Sequence, residues 1–112
     1  MNPAAESPCY VPIRAAMDVI GGKWSYFVIV QLFQGPQRFN QLRRSLGEVS
    51  IKSLTDTLRH LEQNGIVHRE VFPTVPVSVE YSLTESGWEY SGVLLRMREW
   101  GERWSAGAAT PH

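Results

Sequence analysis

A chain of 112 residues, 43% of them hydrophobic and with four each of Trp, Tyr and Phe, has enough apolar surface for one folded domain, which excludes a disordered protein. A single cysteine excludes an internal disulfide and fits a reducing, cytoplasmic setting, and no leader-like segment or apolar run of about 18 residues signals export or a membrane span. Formal net charge is zero, which argues against a uniformly basic nucleic-acid binder, but positions 37–69 carry six basic against three acidic side chains and positions 70–112 three against six.

In chain order, residues 1–8 are small, polar or proline-containing and are expected to be flexible. Pro12 suits the first position of a helix, where its missing N–H is not needed, and Ile13, Ala16, Met17 and Ile20 then form a helical stripe up to Gly21-Gly22. Trp24, Phe27, Val28, Ile29, Val30, Leu32 and Phe33 follow as a helix with little polar surface, the expected central core helix, ended by Gly35-Pro36. Gln37-Arg38 is expected as a short strand. Phe39, Leu42 and Leu46 then lie on one helical face, Gly47-Glu48-Val49 turns the chain, and the Ser50 hydroxyl suits a helix cap. The capped helix carries Ile51, Leu54, Leu58 and Leu61 on one stripe and stops at Asn64-Gly65. Residues 66–72 are β-prone, and Val77, Val79, Tyr81 and Leu83 alternate with polar residues as a half-buried strand. Pro73-Thr74-Val75-Pro76 between them reads as a hairpin tip.

Thr84 caps a last helix that runs to about Trp104 and spans roughly 30 Å. Tyr90, Val93, Leu94, Met97, Trp100 and Trp104 lie on one side of it, and Trp88 and Leu95 on another. A helix apolar on two sides must bury both, and one domain offers one core, so a second subunit is expected on the remaining side. With Ile13 and Met17 of the first helix, the residues of the longer stripe form the expected homodimer interface. Residues 105–112 are expected to be a flexible tail.

Two short helices joined by a three-residue turn containing Gly, followed by a β-hairpin, describe a winged helix-turn-helix: mainly α with a small β-wing, an α+β fold. In such a unit the second helix enters the major groove of double-stranded DNA. Its face opposite the leucines places Ser53, Asp56 and His60 to reach base edges, and a carboxylate there can accept from cytosine N4. Lys52 and Arg59 flank them as phosphate anchors, and Arg43 and Arg44 on the preceding helix are anchors of the same kind. Ser50 and Thr57, at the start and in the middle of the helix, complete the candidate DNA-binding set.

No catalytic site emerges. Gly22-Lys23-Trp24-Ser25 imitates the end of a phosphate-binding loop, but Trp24 intervenes and no glycine precedes at the required spacing. His60, His68 and His112 do not cluster, one Cys adds no metal-ligand spacing, and no nucleophile, histidine and carboxylate suggest a triad. No cofactor is expected. The competing reading is a winged-helix module that binds protein rather than DNA, favoured by zero net charge and a wing without cations from Val71 to Val79.

Three stretches together resemble the HxlR family of bacterial winged-helix regulators, which are related to MarR-type regulators. They are Asp18-Val19-Ile20-Gly21-Gly22-Lys23-Trp24, Arg38-Phe39 with Leu42-Arg43, and Val79-Glu80-Tyr81-Ser82-Leu83-Thr84 with Gly87. The likeness covers about residues 9–101 and implies one such domain over residues 9–104. It implies a homodimeric DNA-binding transcription regulator, repressor or activator, whose terminal helices pair across the dimer. It also makes Cys9, just before the first helix, a candidate sensor of an oxidant or other small electrophilic effector. A thiol at a helix N-terminus has a favoured thiolate, the reactive form. This chain departs from the family at Asp56-Thr57, where a Gln-Arg pair is common, and at Ser78, where the wing commonly has Arg or Lys.

Overall fold

The computed structural model describes residues 10–105. Among these residues there are five helices, α1 (Tyr10–Val19), α2 (Ser25–Leu32), α3 (Phe39–Leu46), α4 (Ile51–Gln63) and α5 (Glu85–Trp104), and three strands, β1 (Gln37–Arg38), β2 (Val67–Phe72) and β3 (Ser78–Leu83), in the order α1-α2-β1-α3-α4-β2-β3-α5. The strands form one antiparallel sheet in the order β1-β3-β2, with Val67 opposite Leu83 and Phe72 opposite Ser78, so residues 73–77 make the hairpin tip. The expected α+β winged-helix architecture is therefore present, including the two-residue strand before the helix-turn-helix.

Ser25, Val28, Ile29 and Leu32 of α2 are buried at helical spacing. They meet Leu42 of α3, Leu54, Leu58 and Leu61 of α4, Val67 and Leu83 of the sheet, and Tyr90 and Leu94 of α5 in one core cluster. Helix α2 is thus the expected central core helix, although its apolar residues are not all inside. Tyr26, Phe27 and Phe33 on its far side are exposed, and Phe33 stacks on Trp88 of α5 with ring centroids 5.8 Å apart.

Two further expectations change. Helix α1 already runs at Tyr10, so Pro12 does not open it. Ile51 leaves the leucine stripe and is 55% exposed, while Val49 is buried instead. Val49 precedes the cap and Leu54 lies in the first full turn, the positions of a hydrophobic staple that fixes how the chain enters a helix. The staple satisfies the core, and Ile51 is left outside it.

Helix α5 is fastened by its first turn. The Thr84 hydroxyl accepts from Gly87 N–H at 3.0 Å and donates to Gly65 O at 2.5 Å, while Thr84 N–H donates to Ile66 O at 3.0 Å. Further along, the buried Tyr90 hydroxyl donates to Ala16 O at 2.5 Å and ties α1 to α5. Burial raises the Tyr90 pKa above its ordinary value, so the hydroxyl remains a donor throughout the neutral range.

Candidate nucleic-acid interface

The reading unit begins where β1 hands over to α3: Arg38 N–H donates to the Gln41 side-chain oxygen at 2.8 Å, closing the open first turn. At the other end of α3, Gly47 takes a φ of +76°, a left-handed conformation that L side chains adopt at a cost, and reverses the chain toward α4. Arg43 and Arg44 lie in the last turn of α3, beside a shallow cleft that they share with Asn40 and Gly47. Helix α4 is then set by its cap, with Ser50 Oγ accepting from Ser53 N–H at 3.0 Å.

On the face of α4 turned away from Leu54, Leu58 and Leu61, Lys52, Asp56 and Arg59 are exposed. Lys52 Nζ lies 2.7 Å from Asp56 Oδ2, and the Lys52 side chain is 86% exposed. The hydrogen bond and charge of Lys52, with a smaller contribution from Arg59, hold the Asp56 carboxyl below the ordinary carboxylate range. Asp56 is therefore ionised at neutral pH. It can only accept, the requirement for pairing with a cytosine amino group, and it offsets part of the Lys52 charge. An exposed i,i+4 pair of this kind contributes little to stability, so its consequence lies in the charge of the face.

Besides the Lys52–Asp56 pair, three side chains of the expected set hydrogen-bond to the protein's own backbone. Ser50 caps the helix, Thr57 Oγ1 donates to Ser53 O at 2.7 Å, and His60 Nε2–H donates to Asp18 O at 2.6 Å. The His60 bond pins α4 to the end of α1, on the side where Asp18, Gly21, Gly22 and Ser25 line a shallow depression with Asp56, Thr57 and Asn64. Ser53 is half-buried on the same flank. The outward face thus narrows to Lys52, Asp56, Arg59 and Gln63, with Ile51 exposed at its N-terminal edge.

The wing carries no cation at its tip: Val75 is fully exposed, Val71 and Val77 are largely so, and Ser78 Oγ is buried without a hydrogen-bond partner. Cations beside the wing come from elsewhere. Arg38 of β1 and Arg44 of α3 line the groove of about 990 Å³ between α3 and residues 74–78. Arg38 is absent from the sequence-derived set because a strand residue outside both helices has no periodicity to mark it. Its pairing opposite Glu80 in the sheet is what brings it to the groove.

The expected dimer stripe also needs correction. Tyr90 and Leu94 are only 8% and 4% exposed in the single subunit, where they close the core and cannot meet a partner. Ile13, Met17, Val93, Met97, Trp100 and Trp104 are exposed. Cys9 lies outside the described residues. Among the described residues no helix is long and apolar enough to cross a membrane.

The sequence pattern of the HxlR-like helix-turn-helix family matches residues 19–108. The uncharacterized HTH-type transcriptional regulator YybR of Bacillus subtilis (strain 168) is 47% identical over 91 residues, covering 81% of this chain and 73% of the relative. Among solved structures, the redox regulator HypR in its oxidized form is 47% identical with a TM-score of 0.73, over 81% of this chain and 94% of that one. A MarR-family transcriptional regulator from Enterococcus faecalis V583 is 36% identical with a TM-score of 0.82, over 96% and 98%. With the helix-turn-helix, the wing and the capped last helix all in place, the chain belongs to the HxlR-like helix-turn-helix family and is a transcriptional regulator of that MarR-like type.

Proposed function

We propose that this regulator acts in the cytoplasm by binding double-stranded DNA directly, as a homodimer on a pseudo-palindromic operator, with α4 as the reading helix. The observation that carries this reading is the outward face of α4, where Lys52 and Arg59 stand exposed immediately after the helix-turn-helix turn. In this reading residues 9–104 make up one HxlR-type winged-helix domain. Two reading helices about 34 Å apart would enter successive major grooves on one side of the duplex. Arg43, Arg44 and Arg38 then hold backbone phosphates, which set register without reading sequence.

A gel shift with DNA from upstream of the gene itself and its neighbours tests the reading. Lys52→Ala and Arg59→Ala are each expected to weaken binding to all sequences and to lower the salt slope by about 0.9 per protomer. Asp56→Asn is expected to strengthen non-specific binding, because it releases Lys52 from its 2.7 Å partner. Unchanged affinity in all three variants would remove α4 from the interface. The exposed Val75 and Val77 at the uncharged wing tip favour a second reading, a module that binds protein. No shift with any DNA would support that alternative.

The relative HypR is described as a redox regulator, and Cys9 is the thiol through which this chain would respond. With one cysteine per chain, oxidation can join only two subunits or one subunit and a small thiol. Diamide is expected to shift operator affinity in the native protein and to leave Cys9→Ser unaffected; an equal response in both would release Cys9 from this role.

A further inference from the structure

We infer that Ile51 is a specificity-determining residue that reads the C5 methyl group of a thymine in the operator. The inference rests on α4 being the reading helix, as proposed above. Helical periodicity assigns Ile51 to the core with Leu54, Leu58 and Leu61, yet it is 55% exposed, whereas those three leucines are buried. Val49 takes the core position in its place. Ile51 is thereby the one large hydrophobic side chain on α4 that faces solvent among the described residues.

Its location narrows the choice of ligand. Ile51 is the first helical residue after the Ser50 cap, and the Ser53 N–H to Ser50 Oγ bond at 3.0 Å holds that first turn in place. The N-terminal residues of the second helix of a helix-turn-helix are the ones that meet base edges in the major groove. Next to it stands Lys52, 86% exposed and paired with Asp56 at 2.7 Å, the phosphate anchor of the reading above. A branched hydrocarbon can neither donate nor accept, so it gains nothing from the amino, carbonyl and ring-nitrogen groups of the groove floor. The thymine methyl is the apolar group that the unmodified major groove offers, and covering it removes apolar surface of both partners from water. A wrong base at that step would leave a polar group dried against hydrocarbon without a partner.

The test uses the full chain and a duplex library of random sequence, from which the native protein selects its site. Each thymine of that site is then replaced singly by deoxyuridine, which removes the methyl and leaves pairing intact. One thymine per half-site is expected at which this change weakens native binding about three- to tenfold. Ile51→Ala should have already lost that increment, so it binds the thymine and uracil duplexes equally there, while its salt slope stays that of the native chain. Because Ile51 is exposed, the variant should keep the native thermal midpoint. The inference is overturned if no thymine loses its methyl effect in Ile51→Ala. A native protein that binds no duplex at all overturns it together with the DNA reading, an outcome distinct from sequence-selective binding that is blind to methyl groups.

Discussion

Met97→Glu is expected to convert the proposed homodimer into folded monomers, whereas Leu94→Glu, one turn away on the same helix, is expected to unfold the chain. Met97 is 51% exposed and Leu94 is 4% exposed, although helical spacing alone puts them on one side of α5. Val93, Met97, Trp100 and Trp104 form an apolar stripe on α5 that the single subunit leaves bare, and Ile13 and Met17 are likewise exposed on one face of α1. The Tyr90 to Ala16 bond holds these two helices together. Exposed apolar stripes of this kind mark an interaction site. A carboxylate placed within it is left without a partner when the interface closes, at a cost of several kcal/mol. Since each 1.4 kcal/mol is about tenfold in an equilibrium constant, the dimer constant should weaken by about a hundredfold or more. Sedimentation velocity at micromolar concentration reads the result, and circular dichroism should show native helix content. At Leu94 the same charge enters the core itself, where a comparable cost falls against a total stability of about 5–15 kcal/mol. Urea unfolding should separate the two variants. A native protein that sediments as a monomer, or a Met97→Glu protein that remains dimeric, would dismiss the stripe as an interface.

That contrast also marks how far the amino-acid sequence could be read. Local signals carried the architecture. Ser50 and Thr84 cap α4 and α5 as their hydroxyls suggest, the Asn64-Gly65 pair ends α4, and the alternating residues Val79, Tyr81 and Leu83 fall in the inner strand of the wing, with Val77 exposed just before it. These signals act within a few residues and need no knowledge of the rest of the fold. What was hidden depends on where other elements stop. Periodicity places Leu94 and Met97 on one side of α5, but the core ends between them. Ile51 falls within the α4 stripe by angle, but only the structure shows that Val49 fills the core before it. His60 looks like a base reader on a helical wheel, while Asp18, 42 residues earlier in the chain, supplies its acceptor. Of the candidate interface, the charged members Lys52, Asp56 and Arg59 were legible because i,i+4 spacing and lack of burial go together. Arg38 was not, because strand pairing with β3 positions it.

Gly87→Ala is expected to destabilise the protein by about 1–3 kcal/mol, although alanine is the better helix former by up to about 1 kcal/mol. A Cβ on Gly87 would stand 2.3 Å from Ile66 O, 3.2 Å from Leu83 Cδ2 and 3.3 Å from the Ile66 carbonyl carbon. The nearest of these is backbone, and it cannot yield cheaply, because Ile66 O accepts Thr84 N–H at 3.0 Å in the junction between β2 and α5. Relief therefore requires α5 to lift from the sheet and loosen the contacts of Tyr90 and Leu94 behind it. Gly92→Ala supplies the opposite sign on the same helix. Nothing lies within 4 Å of its added Cβ, so propensity acts alone and should raise stability by up to about 1 kcal/mol. For a domain of this size each kcal/mol moves the thermal midpoint by roughly 4–8 °C, and a melting curve of the two variants beside the native chain resolves the difference. Equal midpoints for Gly87→Ala and the native protein would mean that α5 is not held against β2 as closely as 2.3 Å implies. A lowered midpoint that brings weaker operator binding at temperatures where the variant is still folded would carry the argument further. The Thr84 junction also bonds Gly65 and Ile66, the residues that join α4 to the wing. A lifted α5 would then disturb the reading helix and the wing through that one junction.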